Sequence, residues 1–445
     1  MTISSDTDAR SNTPSYGRFG QPAEHDHRST PWAHDWHEVA GRLLTHLDED
    51  TTDSLPSTHA VSVADYLDVQ RWEREVEVLF RTKPVVAALS AHLPGVGSYR
   101  ALEIAGVPVL TVRQADGQVR AFINACRHRG SLVVADGCGQ ARRFTCPYHA
   151  WSYDTAGALV GVSGRNKFGD IDTDTRGLTE LPCDERSGMV FVTLRPDATF
   201  DLDEWLGGYD KALDALGLAD MELLDERVLV GPNWKVAYDG YVDGYHLDIL
   251  HKDTLGVDTM GNVMTWDAWG PHQRVAFARR VTHELRDIPP TEWKPAKYVG
   301  FVHTVFPHVS VAGNGGRGAM VSQLNPGPTS DRSRTIQTHL VAKNATAEER
   351  AATIQRADFL EWVVNEEDYK TGFGIQAGLA SGANTEFIFG RNEPGNQTFH
   401  RWIDELIGDM IDETPGAPVS LRRHHEPVDD DTTPVGRRRQ PDPDN

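Results

Sequence analysis

Residues 124–151 read NACRHRGSLVVADGCGQARRFTCPYHAW. Cys126 and His128 stand two positions apart; after seventeen intervening residues come Cys146 and His149, three apart. The chain has four cysteines, and each of the two here has a histidine beside it. Around them the sequence runs in short apolar alternations broken by glycine. "ADG" at 115–117 separates two such runs, "DTAGAL" at 154–159 is a second turn, and GMVFVTL at 188–194 is a further run closed by Pro196. Alternation punctuated by turns of this kind signals hairpins. Residues 85–195 are therefore expected to form a small all-β domain whose loop tips present the four side chains to one centre.

Three readings compete for Cys126, His128, Cys146 and His149. They could fall together by chance. They could hold a structural zinc, for which two cysteines and two histidines are a normal set. Or they could hold a Rieske [2Fe-2S] cluster, with two thiolates on one iron and two imidazoles on the other. A zinc finger pairs like with like, C-x2-4-C and H-x3-5-H, whereas here each loop offers one sulfur and one nitrogen. The two segments, Cys126-Arg127-His128-Arg129-Gly130 and Cys146-Pro147-Tyr148-His149-Ala150-Trp151, resemble the Rieske motif. Ala150 departs from it, since that family usually has glycine there. Cys138, in a glycine-flanked turn, and Cys183, after Pro182, read as free thiols.

A second constellation lies downstream. Residues 233–251 read NWKVAYDGYVDGYHLDILH. Asp243 and His246 share a helix face at i, i+3; His251, five beyond His246, needs a helix end or bulge to join them. The stretch resembles the mononuclear-iron motif of the Rieske non-haem iron oxygenases, the ring-hydroxylating family, matched by Asn233-Trp234-Lys235, Asp243, His246 and His251. That family often has Glu-Asn where this chain has Asp239-Gly240. The resemblance implies that His246 and His251 bind Fe(II) with a carboxylate from a late helix, in the stretch Asn365-Glu366-Glu367-Asp368 followed by Gln376 and Gly378. Asp368 is the expected ligand and Glu367 the alternative. A two-histidine, one-carboxylate face leaves positions open for O₂.

The rest of the chain sets the frame. At 445 residues it is too long for one core, and two domains with tails are expected. Its formal charge of −21 discounts a binder of bulk nucleic acid, which needs the opposite sign. So few cysteines do not make a secreted disulfide scaffold. The opening residues lack a signal peptide's apolar segment, and no run approaches the roughly 18–20 apolar residues of a membrane span. A cytoplasmic protein without membrane contact is expected. Helices are predicted over 36–55, 63–83, 202–216, 236–251, 346–372 and 397–411, and strands over 273–283, 299–312, 317–324 and 334–343. The domain reading is a flexible tail (1–35), a helical part of the catalytic domain (36–84), the Rieske domain (85–195), the catalytic domain (196–420) and a disordered tail (421–445).

The fold class expected is α+β, with an all-β Rieske domain inserted in a catalytic domain built on a long antiparallel sheet covered by helices, of the helix-grip type. The resemblance runs from about 60 to about 410. It implies the terminal oxygenase α-subunit of a multicomponent system, inserting one or both atoms of O₂ into a small organic, aromatic substrate. Its cofactors would be one [2Fe-2S] cluster and one mononuclear Fe(II). Electrons would come from a separate reductase, with or without a ferredoxin, so NAD(P)H would be used indirectly. No G-x-G-x-x-G follows a strand, and no C-x4-C-x2-C ferredoxin spacing is present. The family also implies a homotrimer, with or without a β-subunit. In it Asp243 would bridge a cluster histidine, His149, of one subunit to His246 of the next. Met260, Val263, Trp266 and Phe301, on the sheet and the loops at 252–270, are candidates for the substrate pocket or for plain core, and His308 either faces that pocket or is a satisfied strand histidine. The rival readings are a Rieske electron carrier with structural His246 and His251, and a zinc-stabilised binding protein.

Overall fold

The computed structural model describes residues 33–313 and 317–409. The tail expected over 1–35 lies outside them except for its last three residues, which open a helix; the tail at 421–445 lies wholly outside.

The catalytic part is built on a seven-stranded antiparallel sheet. Its strands are β1 (Met221–Gly231), β2 (Thr259–Trp269), β3 (His272–Arg279), β4 (Val299–Val305), β5 (Val309–Gly313), β6 (Gly318–Pro326) and β7 (Ser333–Ala342), in the spatial order β1-β7-β6-β5-β4-β3-β2. Strands β2 to β7 form a meander, and β1 adds to β7 from the far end. Five helices matter for the site: α1 (Ala33–Glu49), α2 (Trp234–Val242), α3 (Ala347–Val363), α4 (Lys370–Ala380) and α5 (Pro394–Asp409). Helix α2 lies against β4, β6 and β7, and α3 against β1 and β7, so the helices that carry the site pack on the sheet.

Helix α1 shows why these elements form where they do. Trp36, Val39, Ala40 and Leu43 recur at helical spacing, and all four are buried against Tyr298, Val299 and Phe301. Burying four such side chains is worth on the order of 1.5–3 kcal/mol for each large one.

The cluster-bearing part is a five-stranded sheet in the order 180–181, 119–123, 107–113, 98–104, 137–140, with a three-stranded sheet of 143–145, 152–154 and 159–161 beside it. A further three-stranded sheet (183–186, 189–192 and 85–89) shares one hydrophobic core with the catalytic sheet: Val85, Val86 and Phe191 belong to the same buried cluster as Val309, Val321 and Ile336. His308, weighed as a pocket residue against a satisfied strand histidine, sits at this seam. Its Nε2 accepts from Val86 N at 3.2 Å, its Nδ1 bonds Asn325 Oδ1 at 3.1 Å, and the ring is buried. It is a satisfied core histidine and does not line the cavity described below.

Several expected elements differ. The helix at 63–83 is two short helices (Ala64–Leu67, Val69–Glu75) running into a π-helical stretch, Val76–Thr82. The helix at 202–216 breaks into Leu202–Leu206 and Asp210–Asp214 around left-handed Gly207. Residues 252–270 are not all loop, because 259–269 is the edge strand β2. Most important, the helix expected over 236–251 stops at Val242. Asp243 is already extended, and a Cβ at Gly244 would lie 2.6 Å from Phe277 and 2.8 Å from the Gly261 carbonyl. Only glycine lets the chain turn out of α2 this close to the sheet.

Candidate functional site

The two cluster loops have matching geometry. Gly130 N donates to Cys126 O, and Ala150 N donates to Cys146 O; Cys126 N and Cys146 N donate to Ser131 O and Trp151 O. Each loop thus closes a tight turn over its cysteine. Gly130 and Ala150 both have positive φ, 78° and 56°. The thiols of Cys126 and Cys146 are buried, while His128 and His149 are half-buried, their rings 4.7 Å apart. His128 stacks on Trp151. Tyr153 OH lies 3.3 Å from Cys126 Sγ and accepts from Arg127 N at 2.9 Å.

Burial works to raise the Cys146 thiol. It is outweighed by the backbone N–H groups of Tyr148 and His149 and by bonds to Cys126 and Ser131, so the thiol titrates below its ordinary value. Two thiols in mutual contact, set among N–H donors that favour thiolate, with two imidazoles outside them, fit a [2Fe-2S] group held between the loops. Cys138 and Cys183 lie outside this group and are free thiols; Cys138 accepts from Arg100.

The downstream residues also meet. One ring nitrogen each of His246 and His251 and an Asp368 oxygen all lie within 4.8 Å of one another. Asp368 Oδ1 is 3.0 Å from His251 Nε2 and 3.6 Å from His246 Nε2. Each ring is held from behind by a second carboxylate. Asp243 Oδ2 is 3.0 Å from His246 Nδ1; Glu367 Oε2 is 2.7 Å from His251 Nδ1 and accepts from Thr254 Oγ1 at 2.7 Å.

A carboxylate can only accept, so both Nδ1 atoms carry the proton. The two Nε2 lone pairs then point at a third carboxylate. Only protons or a cation can bridge that arrangement. Burial lowers the His246 pKa, but Asp243 and Asp368 outweigh it and push it up to about 10. His251 moves up for the same reasons, and Asp368 moves down against its burial. Three carboxylates around two imidazoles fit a divalent iron.

The sequence motifs explain how these groups are fixed. Asn233 caps α2: its side chain accepts from Lys235 N at 2.8 Å and donates to Tyr66 O and Ser330 O. Trp234 is fully buried and donates to Glu75 Oε2, and Lys235 pairs with the same carboxylate, both groups wholly buried. Gln376, on α4, accepts from Asn233 N at 2.8 Å and ties the late helix to the early motif. Asp368 sits in a π-helical turn, Val364–Tyr369, between α3 and α4. Nothing in the local residue pattern signals that turn, and both Glu367 and Asp368 reach His251 from it. The Asp239-Gly240 departure also has a physical reading. Asp239 is held by Tyr66 OH (2.8 Å) and His400 Nε2 (2.9 Å), and Gly240 lines the cavity, where an added Cβ would meet nothing within 4 Å.

That cavity, about 890 Å³, has His246, His251 and Asp368 on its wall. Of the four pocket candidates only Phe301 lines it. Met260 and Val263 pack against the α1 core, and Trp266 donates to Gln273.

Two family models match the chain: the Rieske [2Fe-2S] domain over residues 83–174, and the ring hydroxylating alpha subunit (catalytic domain) over residues 202–409. The chain belongs to the Rieske oxygenase α-subunit family. Within that family it is 30% identical over 193 residues to the anthranilate 1,2-dioxygenase large subunit of Acinetobacter baylyi, covering 42% of this chain and 41% of that one. It is 32% identical over 205 residues to the carnitine monooxygenase oxygenase subunit of Escherichia coli, covering 45% and 54%. The matches thus span about half the length of these relatives. Among solved structures, a quaternary ammonium Rieske monooxygenase superposes with a TM-score of 0.67 at 20% identity, over 80% of this chain and 99% of that one. Naphthalene 1,2-dioxygenase from Rhodococcus sp. superposes with a TM-score of 0.64 at 19% identity, over 83% and 98%. These two share the fold. Among the described residues no helix is long and apolar enough to cross a membrane.

Proposed function

We propose that this chain is the terminal oxygenase of a multicomponent Rieske system, taking O₂ and an organic, aromatic substrate, with electrons from a separate reductase, directly or through a ferredoxin. The observation that carries this is the convergence of two imidazole Nε2 atoms and one carboxylate on the wall of a large cavity. An electron carrier has no use for either. Cys126, His128, Cys146 and His149 would hold the [2Fe-2S] cluster; His246, His251 and Asp368 would hold the mononuclear iron. Bound there, the two groups supply single electrons and activate O₂.

The chain's own residues do the remaining work. Asp243 and Glu367 keep the Nδ1 protons of His246 and His251, which fixes each tautomer and makes each Nε2 the better ligand. Leu247, Phe277, Val302 and Leu360 make the cavity wall apolar beside them, so water is displaced when substrate enters. In this reading Glu367 orients and Asp368 ligates.

The assembly proposed is a homotrimer in which the cluster loops of one subunit face the Asp243 turn of the next, Asp243 linking His149 to His246. Exposed apolar side chains at both places support it: Leu132, Tyr148 and Phe168 by the cluster loops, Tyr245 and Ile249 by the iron turn. The division into a Rieske domain at 85–195 and a catalytic domain around it belongs to the same reading. Iron counting separates it from the carrier reading. Three irons per chain, with O₂ uptake driven by a surrogate reductase, are expected; two irons would leave only the carrier.

A further inference from the structure

The cavity is long as well as large. Helix α3 runs beside it, with Glu349, Ala352, Leu360 and Val363 on its wall, and Asp368 of the metal triad follows the helix end. At a rise of about 1.5 Å per residue, the wall from Glu349 to Val363 extends roughly 20 Å. At the end away from Asp368, Glu349 pairs with Arg317, which also lines the cavity.

Four glycines among the described residues line this cavity, and they are of two kinds. A Cβ on Gly313 would lie 3.2 Å from Ala319, and one on Gly318 3.3 Å from the Leu340 carbonyl, so packing disfavours a side chain there. Gly240 and Gly300 differ. A Cβ on either would meet nothing within 4 Å, and neither has positive φ. Gly240 lies inside α2 and Gly300 inside β4. Glycine inside a helix or a strand weakens it, because its unfolded chain is freer and it has no side chain to pack. Neither a close approach nor backbone conformation explains these two; what they share is the cavity they leave open.

Gly240 stands one helical turn before Asp243. Gly300 is paired with Phe277 across β3 and β4, and Phe277 is also on the wall, so that ring has no side chain opposite it. Leucine in the helix or valine in the strand would suit each element better and would narrow the cavity. At about 890 Å³ the cavity lies toward the upper end of what small-molecule sites enclose. A single-ring guest would leave much of its apolar wall in contact with water.

We propose that the guest of this cavity is an extended apolar molecule, at least two rings or an equivalent chain long, with its reacting end at the triad and its body along α3, and that Gly240 and Gly300 are the specificity-determining residues that admit it. The length follows from the α3 wall. The width follows from the two positions where the chain omits a side chain it has room for. That this guest is the substrate rests on the oxygenase reading; that it binds does not.

The test is equilibrium dialysis against the metal-loaded protein without O₂, so that a failure of oxygenase chemistry cannot be mistaken for a failure of recognition. The probes are phenol, 4-phenylphenol and the compact 1-adamantanol. Burial of the second ring predicts that 4-phenylphenol binds about tenfold or more tighter than phenol, and its shape predicts that it also binds tighter than 1-adamantanol. Gly240→Leu and Gly300→Val, which fill the open positions, are each expected to weaken 4-phenylphenol by about tenfold and to leave phenol within about twofold. Gly240→Ala should raise the melting temperature by about 1–2 °C, since glycine there serves the cavity and not the fold. 4-Phenylphenol bound no tighter than phenol or 1-adamantanol would overturn the proposal. So would glycine variants that both hold 4-phenylphenol as tightly as wild type, or a melting temperature lowered by Gly240→Ala.

Discussion

The two cluster loops share a left-handed turn position, but one fills it with Gly130 and the other with Ala150. Gly130 meets positive φ without cost, whereas Ala150 holds φ 56° with a Cβ. The left-handed region costs an ordinary residue roughly 1–2 kcal/mol. Glycine gives back about 0.5–1 kcal/mol through its freer unfolded chain. Ala150→Gly is therefore expected to stabilise the protein by up to about 1 kcal/mol and to leave the cluster's visible spectrum unchanged; a lower denaturation midpoint would contradict this. Asp243 is a different kind of residue, held by His246 and by Tyr245 N rather than by the core. Asp243→Ala should keep all three irons and lose turnover by about tenfold or more, the usual cost of removing a carboxylate behind a ligand histidine. Iron analysis beside O₂ uptake checks it, and normal turnover would remove Asp243 from the electron path. Most of the candidate site was legible at this scale, because its side chains carry their own chemistry: Cys126, His128, Cys146 and His149 stand out by spacing, and His246, His251 and Asp368 by resemblance to a family motif. What spacing could not separate was Asp368 from Glu367, adjacent carboxylates whose directions depend on local backbone geometry.

That geometry belongs to the element scale. An unbroken α-helix from 346 to 372 was the natural reading, since nothing in VVNEEDYK interrupts the pattern. A single π-helical turn instead widens the helix at Val364–Tyr369, with Tyr369 anchored to Thr335 on β7. π turns amount to an extra residue in an α-helix and recur at functional sites. Deleting exposed Asn365 removes that residue. Either α3 must then rotate by about 100° on its bed of β1 and β7, or Asp368 must leave the histidines. The expected result is loss of mononuclear iron with the [2Fe-2S] spectrum retained; a deletion variant with three irons and an unchanged melting temperature would show that the turn does not set the ligand. Helix α2 makes the same point from the other side. The sequence pattern continued through His251, but close approach at Gly244 ended the helix at Val242, a tertiary contact that no periodicity encodes. The edge strand β2 was missed because its exposed positions break the alternation expected of a sheet strand.

At the scale of the whole molecule the two metal-binding parts share one seam, and part of it is charged. Glu226 on β1 meets Arg100 of the cluster-bearing sheet at 2.9 Å and His92 Nε2 at 3.2 Å. Burial would raise this carboxyl, but His92 and Arg100 outweigh it and hold it at about 2. A folded value below the unfolded one means stabilisation that is full above the ordinary carboxylate range and is lost as pH falls through it. The depression corresponds to about 3 kcal/mol at most. His92, lowered chiefly by burial, adds loss in the same direction, beginning as pH falls below its ordinary value near 6.5. Stability should thus soften below pH 6.5 and fall steeply below about 4.5, and Glu226→Gln should remove the steep limb in pH-resolved denaturation. The seam fixes how the two parts sit within a chain, yet among the described residues nothing joins the cluster loops to His246 in one subunit through Asp243, whose bonds are local. If electrons cross between subunits of a ring, each junction pairs the cluster of one copy with the iron of the next, a heterologous contact that closes on itself. Co-expressing a cluster-dead chain (Cys126→Ser) with an iron-dead chain (His246→Ala) tests this. Either alone should be inactive. Mixed at random in equal amounts, about one junction in four joins an intact cluster to an intact iron, so about a quarter of wild-type turnover should return. Recovery near zero, with trimers formed and metals loaded as expected, would mean that each chain must serve itself.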